Sequence, residues 1–251
     1  MADERWSEFI EESPKSWVQG LFEESRTEKQ KLGAVRKLSD GRVFVYAKAG
    51  ADNLAVGKLT QAPVQVANHL DIAVAVTAAI GARQVTVTLG ATLATKDQYK
   101  DGFLYVNSAI GEGHAYKIKS HPAADSGGSL VVTLYDKIRV GLVAGTSKVT
   151  LFACPFNGVI IHASPPTAGL TGIPQTAVTA AYYYWSLVKG MTPCLIDGTP
   201  AINQNIKPSG AVDGAVCVAV ETEILYDAIG FVLNTGVDTE YKMIMLDTPG
   251  Y

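Results

Sequence analysis

Four histidines, three cysteines and a few serine–glycine clusters are the groups in this 251-residue sequence whose types and spacing could do chemistry. His69, His114, His121 and His162 are scattered. None stands in a His-Glu-x-x-His pair or beside a cysteine at zinc-ligand spacing. In Gly111-Glu112-Gly113-His114 a carboxylate sits two residues from an imidazole, a pairing that could serve general acid–base work. The interleaved glycines favour a β-turn with a solvated Glu instead. Ser126-Gly127-Gly128-Ser129 differs from the Gly-x-Ser-x-Gly nucleophile elbow, which also needs a strand-to-helix turn, and it reads as a loop. Residues 141–148 contain two glycines and a lysine, but the lysine is misplaced for a phosphate-binding loop. No Asp-x-Asp-x-Asp-Gly calcium loop occurs in the sequence. Glycosidic chemistry needs two carboxylates that can be distant in the chain, and nothing singles out a pair. Cys154, Cys194 and Cys217 lie in apolar contexts without paired spacing, so they read as small buried hydrophobes in a reducing compartment. The sequence assigns no catalytic, cofactor-binding or metal-ligating residue, and the expectation is a protein that is not an enzyme.

Composition narrows the alternatives. Hydrophobic residues make up 47% of the chain and charged ones only 18%, below the roughly 25% charged share of an average soluble domain. Such a chain hides apolar surface in its own core or against partners. The formal net charge of −3 offers no strong field for nucleic acid or an anionic membrane, so neither is expected as a direct partner. Residues 1–15 are dominated by charge where a secretory leader would need an apolar core, so none is expected. The weakly polar stretch 72–82 is too short to span a bilayer.

The elements that would position any site are strands. Residues 42–48, 84–89, 103–106, 114–119, 129–135, 137–140, 148–152 and 158–162 are short runs separated by Gly and Asp-Gly turns. Several alternate with period two, which puts one face in a core and one outward. Further runs follow at 194–196, 215–220, 228–233 and 241–246. The fold class is all-β, a sandwich or barrel with no long amphipathic helix. The expected division is an N-terminal arm at 1–32, a β-rich domain at 33–162, a Pro/Gly linker at 163–174 and a small barrel-like domain at 175–251.

Charge is concentrated at the start. Residues 1–42 hold 17 of the 45 charged side chains, a break that marks an arm, partly helical or extended. Trp6, Phe9 and Ile10 fall at i, i+3, i+4, while Trp17, Val18, Leu21 and Phe22 could share a second apolar face. Pro14 separates the two groups. Aromatic residues in so charged a stretch suggest anchors for another chain. Tyr182-Tyr183-Tyr184-Trp185 would place aromatics on both faces of a strand, either buried on both or with one against a partner. The partner-contact candidates are therefore Trp6, Phe9, Ile10, Trp17, Leu21, Phe22, Tyr182 and Tyr184.

The C-terminal third adds a resemblance. Asp197-Gly198-Thr199, residues 206–216 with Pro208-Ser209-Gly210 and Gly214-Ala215-Val216, Ile229-Gly230-Phe231-Val232 and the closing run 241–246 resemble accessory capsid proteins of tailed phages. Residues 32–50, with Asp40-Gly41-Arg42, resemble the opening of such head proteins. The resemblance covers about half the chain and leaves residues near 60–165 as an added domain. It implies a decoration or cement protein in the virion, assembled in the host cytoplasm. Its partners would be the major capsid protein and copies of itself, often as a homotrimer, and it would need no cofactor. The competing readings are a tail, neck or baseplate component, the shell protein itself, and a surface protein that binds or hydrolyses glycans. The common shell-protein fold needs a long helix and an extended loop that this sequence lacks.

Overall fold

The computed structural model describes residues 18–220 and 228–248. The described chain is all-β, as its sequence pattern requires, and among the described residues the helical structure is one short 3-10 turn at Ala67–His69. It forms two bodies, one inserted into the other.

The larger body takes strands from both ends of the chain. β1 (Val35–Lys37), β2 (Val43–Ala49) and β3 (Thr60–Gln61) precede the insertion, β4 (Ile72–Val76) to β9 (Lys148–Phe152) form it, and β10 (Asn157–Ile161) resumes the larger body. β11 (Leu170–Pro174), β12 (Tyr183–Leu195), β13 (Asn205–Pro208), β14 (Val216–Val218), β15 (Gly230–Val232) and β16 (Tyr241–Asp247) complete it. The strand order is β1-β2-β10-β3-β11-β12-β16-β15-β13-β14, and a further pairing of β2 with β12 closes the ring β2-β10-β3-β11-β12. β12 makes this possible through its length: residues 183–189 pair with β2 and residues 189–195 with β16. Trp185, Phe44, Tyr46, Leu187, Ile173, Ile244 and Leu246 fill the core it wraps.

The insertion is a closed six-stranded barrel in the order β4-β5-β8-β7-β6-β9, where β5 is Gln84–Thr88, β6 Phe103–Ser108, β7 Ala115–Ser120 and β8 Ser129–Leu134. Its strands β5 to β8 alternate buried and more exposed positions, and Val85, Val87, Leu104, Ile118, Leu130 and Val149 form a separate core. The added domain expected near 60–165 is thus narrower, from Ile72 to Phe152. Residues 137–140 are coil and bend rather than strand, pinned by Ile138 N–H donating to Ala82 O at 2.8 Å.

Three boundaries expected from the sequence are corrected. The Pro/Gly stretch 163–174 is no linker, since Leu170–Pro174 is a strand between β3 and β12. Gly172 is required there by close approach: at φ +102, a Cβ would lie 2.3 Å from Leu187 O. Residues 175–251 are not a barrel of their own, because β12 to β16 share one sheet with the N-terminal strands. Nor is the arm free up to residue 32. Gln19 is buried, its amide donating to Tyr183 O at 2.9 Å while its Oε1 accepts from Tyr46 OH at 2.6 Å. Leu32 belongs to the core of the larger body. A polar side chain that caps an interior this way is structural, because burying it unpaired would cost on the order of 1–3 kcal/mol.

Candidate functional site

The feature that stands out as a possible site is an apolar trough on the outer side of β12 and β16. Up to Leu187, the odd-numbered residues Tyr183, Trp185 and Leu187 face the larger core. The register of β12 against β2 shifts between Leu187 and Lys189, and such a bulge inverts the alternation. Beyond it Cys194 and Ile196 face inward, while Met191 and Pro193 turn out. Gly190 sits at the bulge with φ +115, and a Cβ there would stand 2.7 Å from Arg42 Cγ. Across the ladder Met191 pairs with Met245 and Pro193 with Met243. Met191 is 57% and Met243 42% exposed on strands central to the sheet order.

The trough has a volume of about 510 Å³ and is lined by Arg42, Gly190, Met191, Met243, Met245 and Asp247 among others. Its charged rim is neutralised internally: Arg42 Nε contacts Asp40 Oδ2 at 2.7 Å and Lys189 Nζ contacts Asp247 Oδ1 at 2.9 Å. The Arg42 backbone N–H, and then its guanidinium, hold the Asp40 carboxyl below its usual range. Chemically the trough is a soft, unbranched, polarizable floor with no unpaired charge on the pairs that flank it. Methionines of this kind adapt to irregular apolar partners.

A second cleft of about 440 Å³ lies where the barrel meets the larger body, lined by Glu28, Lys48, Asp97, Lys100 and Tyr183 among others. Several of its charges are engaged: Lys100 Nζ bridges Glu28 at 2.9 Å, and Lys48 Nζ lies 5.4 Å from the Tyr183 ring centroid. The bond to Glu28 raises the Lys100 ammonium, which keeps it from acting as a neutral amine.

The histidines are pins of the fold. His121 accepts from Tyr99 N–H at 2.9 Å through Nε2, and its Nδ1 faces Pro122 O at 2.8 Å. Burial lowers its pKa. His69 contacts Tyr99 OH through Nδ1 and Thr92 O through Nε2. Both ring nitrogens of His162 face carbonyls, those of Ala163 and Ala215, at 2.7 Å. His114 Nδ1 lies 3.0 Å from Gly111 O in the turn expected for it, and Glu112 is exposed. Gly127 N–H donates to Gly90 O at 2.8 Å, and Gly128 N–H closes the turn on Asp125 O at 2.9 Å. Cys154 and Cys194 are buried, and desolvation pushes the Cys194 thiol up to about 12, so it is no nucleophile. Among the described residues no group of three or more His, Cys, Asp or Glu could hold a metal ion, and no helix is long and apolar enough to cross a membrane.

Of the partner-contact candidates, Trp6, Phe9, Ile10 and Trp17 lie outside the described residues. Leu21 packs on the larger core, and Phe22 beside it is exposed. Tyr182 is half-buried against the cluster of Ala47, Leu54 and Val159. Tyr184 is corrected: it is fully buried in that same cluster, and burial raises its phenol. The aromatic run is buried on both faces, with Tyr184 on one and Trp185 on the other, so it offers no aromatic platform for sugar rings. Sequence reasoning missed the methionines. The available signal was Met243 and Met245 two residues apart, hence on one side of a strand.

Known proteins supply no further guide. No family model, curated protein or solved structure matches the chain.

Proposed function

We propose that this chain is a virion structural protein, an accessory capsid protein that decorates a tailed-phage head and stabilises its shell of major capsid protein. The observation that carries the reading is the methionine trough: a half-exposed apolar surface on the central strands, with a self-neutralised rim. Apolar surface in that position gains most by being covered. Burial is worth about 25 cal/mol per Å² before the cost of association is subtracted. Repetition of one modest contact over a shell multiplies it into avidity. The low charged share of 18% and the phage-like turn-and-strand pattern of residues 197–246 support the same reading.

The mechanism is binding without turnover. The trough seats an apolar segment of the shell, and the barrel, none of whose residues line the trough, is a second unit with its own core. The test begins with the mass of the purified protein by light scattering, followed by incubation with phage heads assembled without it. A discrete oligomer that binds at fixed stoichiometry and raises the temperature of shell disruption supports the proposal. A protein that leaves the heads unoccupied at micromolar concentration overturns it, and glycan binding would then be the next screen.

A further inference from the structure

Charge is divided unequally between the barrel and the start of the chain. Between Ile72 and Phe152 the sequence carries eight lysines and arginines against five aspartates and glutamates. Residues 1–17 carry the opposite balance, five acidic (Asp3, Glu4, Glu8, Glu11, Glu12) against two basic (Arg5, Lys15).

On the barrel's outer face the cross-strand register brings aromatic rings and lysines together. Phe103 stands opposite Phe152 on one side and Lys117 on the other, and Tyr105 follows Phe103 on the same face. Phe103 and Phe152 are each 43% exposed and Tyr105 36%. Lys117 and Lys119 are exposed on the adjacent strand β7. Aromatic rings beside lysines suit a segment that is both apolar and acidic.

We propose that residues 1–17 of the chain cover this face of their own barrel, with Trp6, Phe9 and Ile10 on Phe103, Tyr105 and Phe152 and the flanking acids toward Lys117 and Lys119. The start of the described chain is tied down beside the barrel. Gln19 is bonded to Tyr183, and Glu28 bridges Lys100, three residues before Phe103. Phe9 is nine residues from Val18, an extended span of roughly 30 Å. A tether that short holds the segment at an effective concentration of about millimolar, which favours its own barrel over a neighbour's. Part of the attraction is between exposed charges and is screened over a Debye length of about 3 Å at 1 M salt. The cover is therefore salt-releasable, and the inference does not depend on what the methionine trough binds.

The test uses the full chain with a photoreactive benzophenone side chain in place of Phe152, prepared as a mixture of 15N-labelled and unlabelled protein. Irradiation at low salt is expected to join residue 152 to residues 4–12 within chains of one isotope. The yield should fall at least tenfold in 1 M NaCl or in the variant carrying Lys117→Glu and Lys119→Glu. Circular dichroism of that variant should match the parent. Cross-links only between labelled and unlabelled chains, cross-links to no part of residues 1–17, or a yield indifferent to both salt and charge reversal would overturn the proposal. So would an added single-stranded oligonucleotide that cross-links in place of the segment.

Discussion

The barrel and the larger body solve the same problem, burying β-strands, in opposite ways. The barrel is built from one continuous stretch, three of its six strand pairings join strands adjacent in sequence, and β5 to β8 each have one wetter and one dry face. The larger body joins β2 near residue 45 to β12 near 185 and β16 near 245. β2 is buried at six of its seven positions. Local alternation builds a unit that can close by itself. Strands buried on both faces need partners from the whole chain. The two cores are distinct clusters, so the units should lose stability separately.

Core truncations should separate the two units most strongly. Trp185→Ala removes the largest fully buried side chain of the larger body and the donor to Gln19 O at 3.2 Å. Its expected cost is about 3–5 kcal/mol. Leu104→Ala in the barrel should cost about 2–5 kcal/mol. Calorimetry should show two transitions, the first variant lowering one and the second the other. A single transition moved equally by both would mean that the two units unfold as one.

Next in size is Gly102→Ala. A Cβ at Gly102 would lie 2.1 Å from Phe152 O, where β6 meets β9. Relieving that clash should cost about 1–3 kcal/mol, confined to the barrel transition.

These same positions show how much of the fold was legible in advance. The barrel strands β5 to β8 were readable because half-buried strands alternate, as in Gln84–Thr88 and Ala115–Ser120. β11 was not, because Gly172 and Pro174 look like punctuation. The glycine there serves a close approach to β12, and Pro174 ends the strand. The continuity of Tyr183–Leu195 was hidden too, since a bulge and Gly190 interrupt its pattern. The charge of residues 18–32 is visible in the sequence and marks them as arm. The single buried amide of Gln19 that ties them down is not. The trough escaped notice for a related reason: a bulge, invisible in composition, decides which way Met191 points.

Acidification should sharpen the contrast more gently. His121 is held neutral, and burial places its folded value below the unfolded-chain value of 6.5. The unfolded chain therefore takes up the proton first. The contribution of neutral His121 is whole above about pH 6.5 and is lost as the pH falls below it. The barrel transition should drop over that range in thermal melts while His121→Gln flattens the decline. An equal decline in the variant would reject this assignment.

The smallest effect is expected at the junction. Glu28→Gln removes a partly exposed ion pair to Lys100, worth about 0–1 kcal/mol. It should widen the gap between the two transitions slightly, and a large loss would show that the junction holds the units together.

The proposed binding to a phage shell depends on the methionine trough, and co-sedimentation with phage heads assembled without this protein measures it. The parent chain is compared with the double variant Met191→Glu, Met243→Glu, whose melting curve is checked first. The parent should pellet with the heads at a fixed ratio while the folded variant stays in the supernatant. Equal pelleting of both, or of neither, would contradict the account.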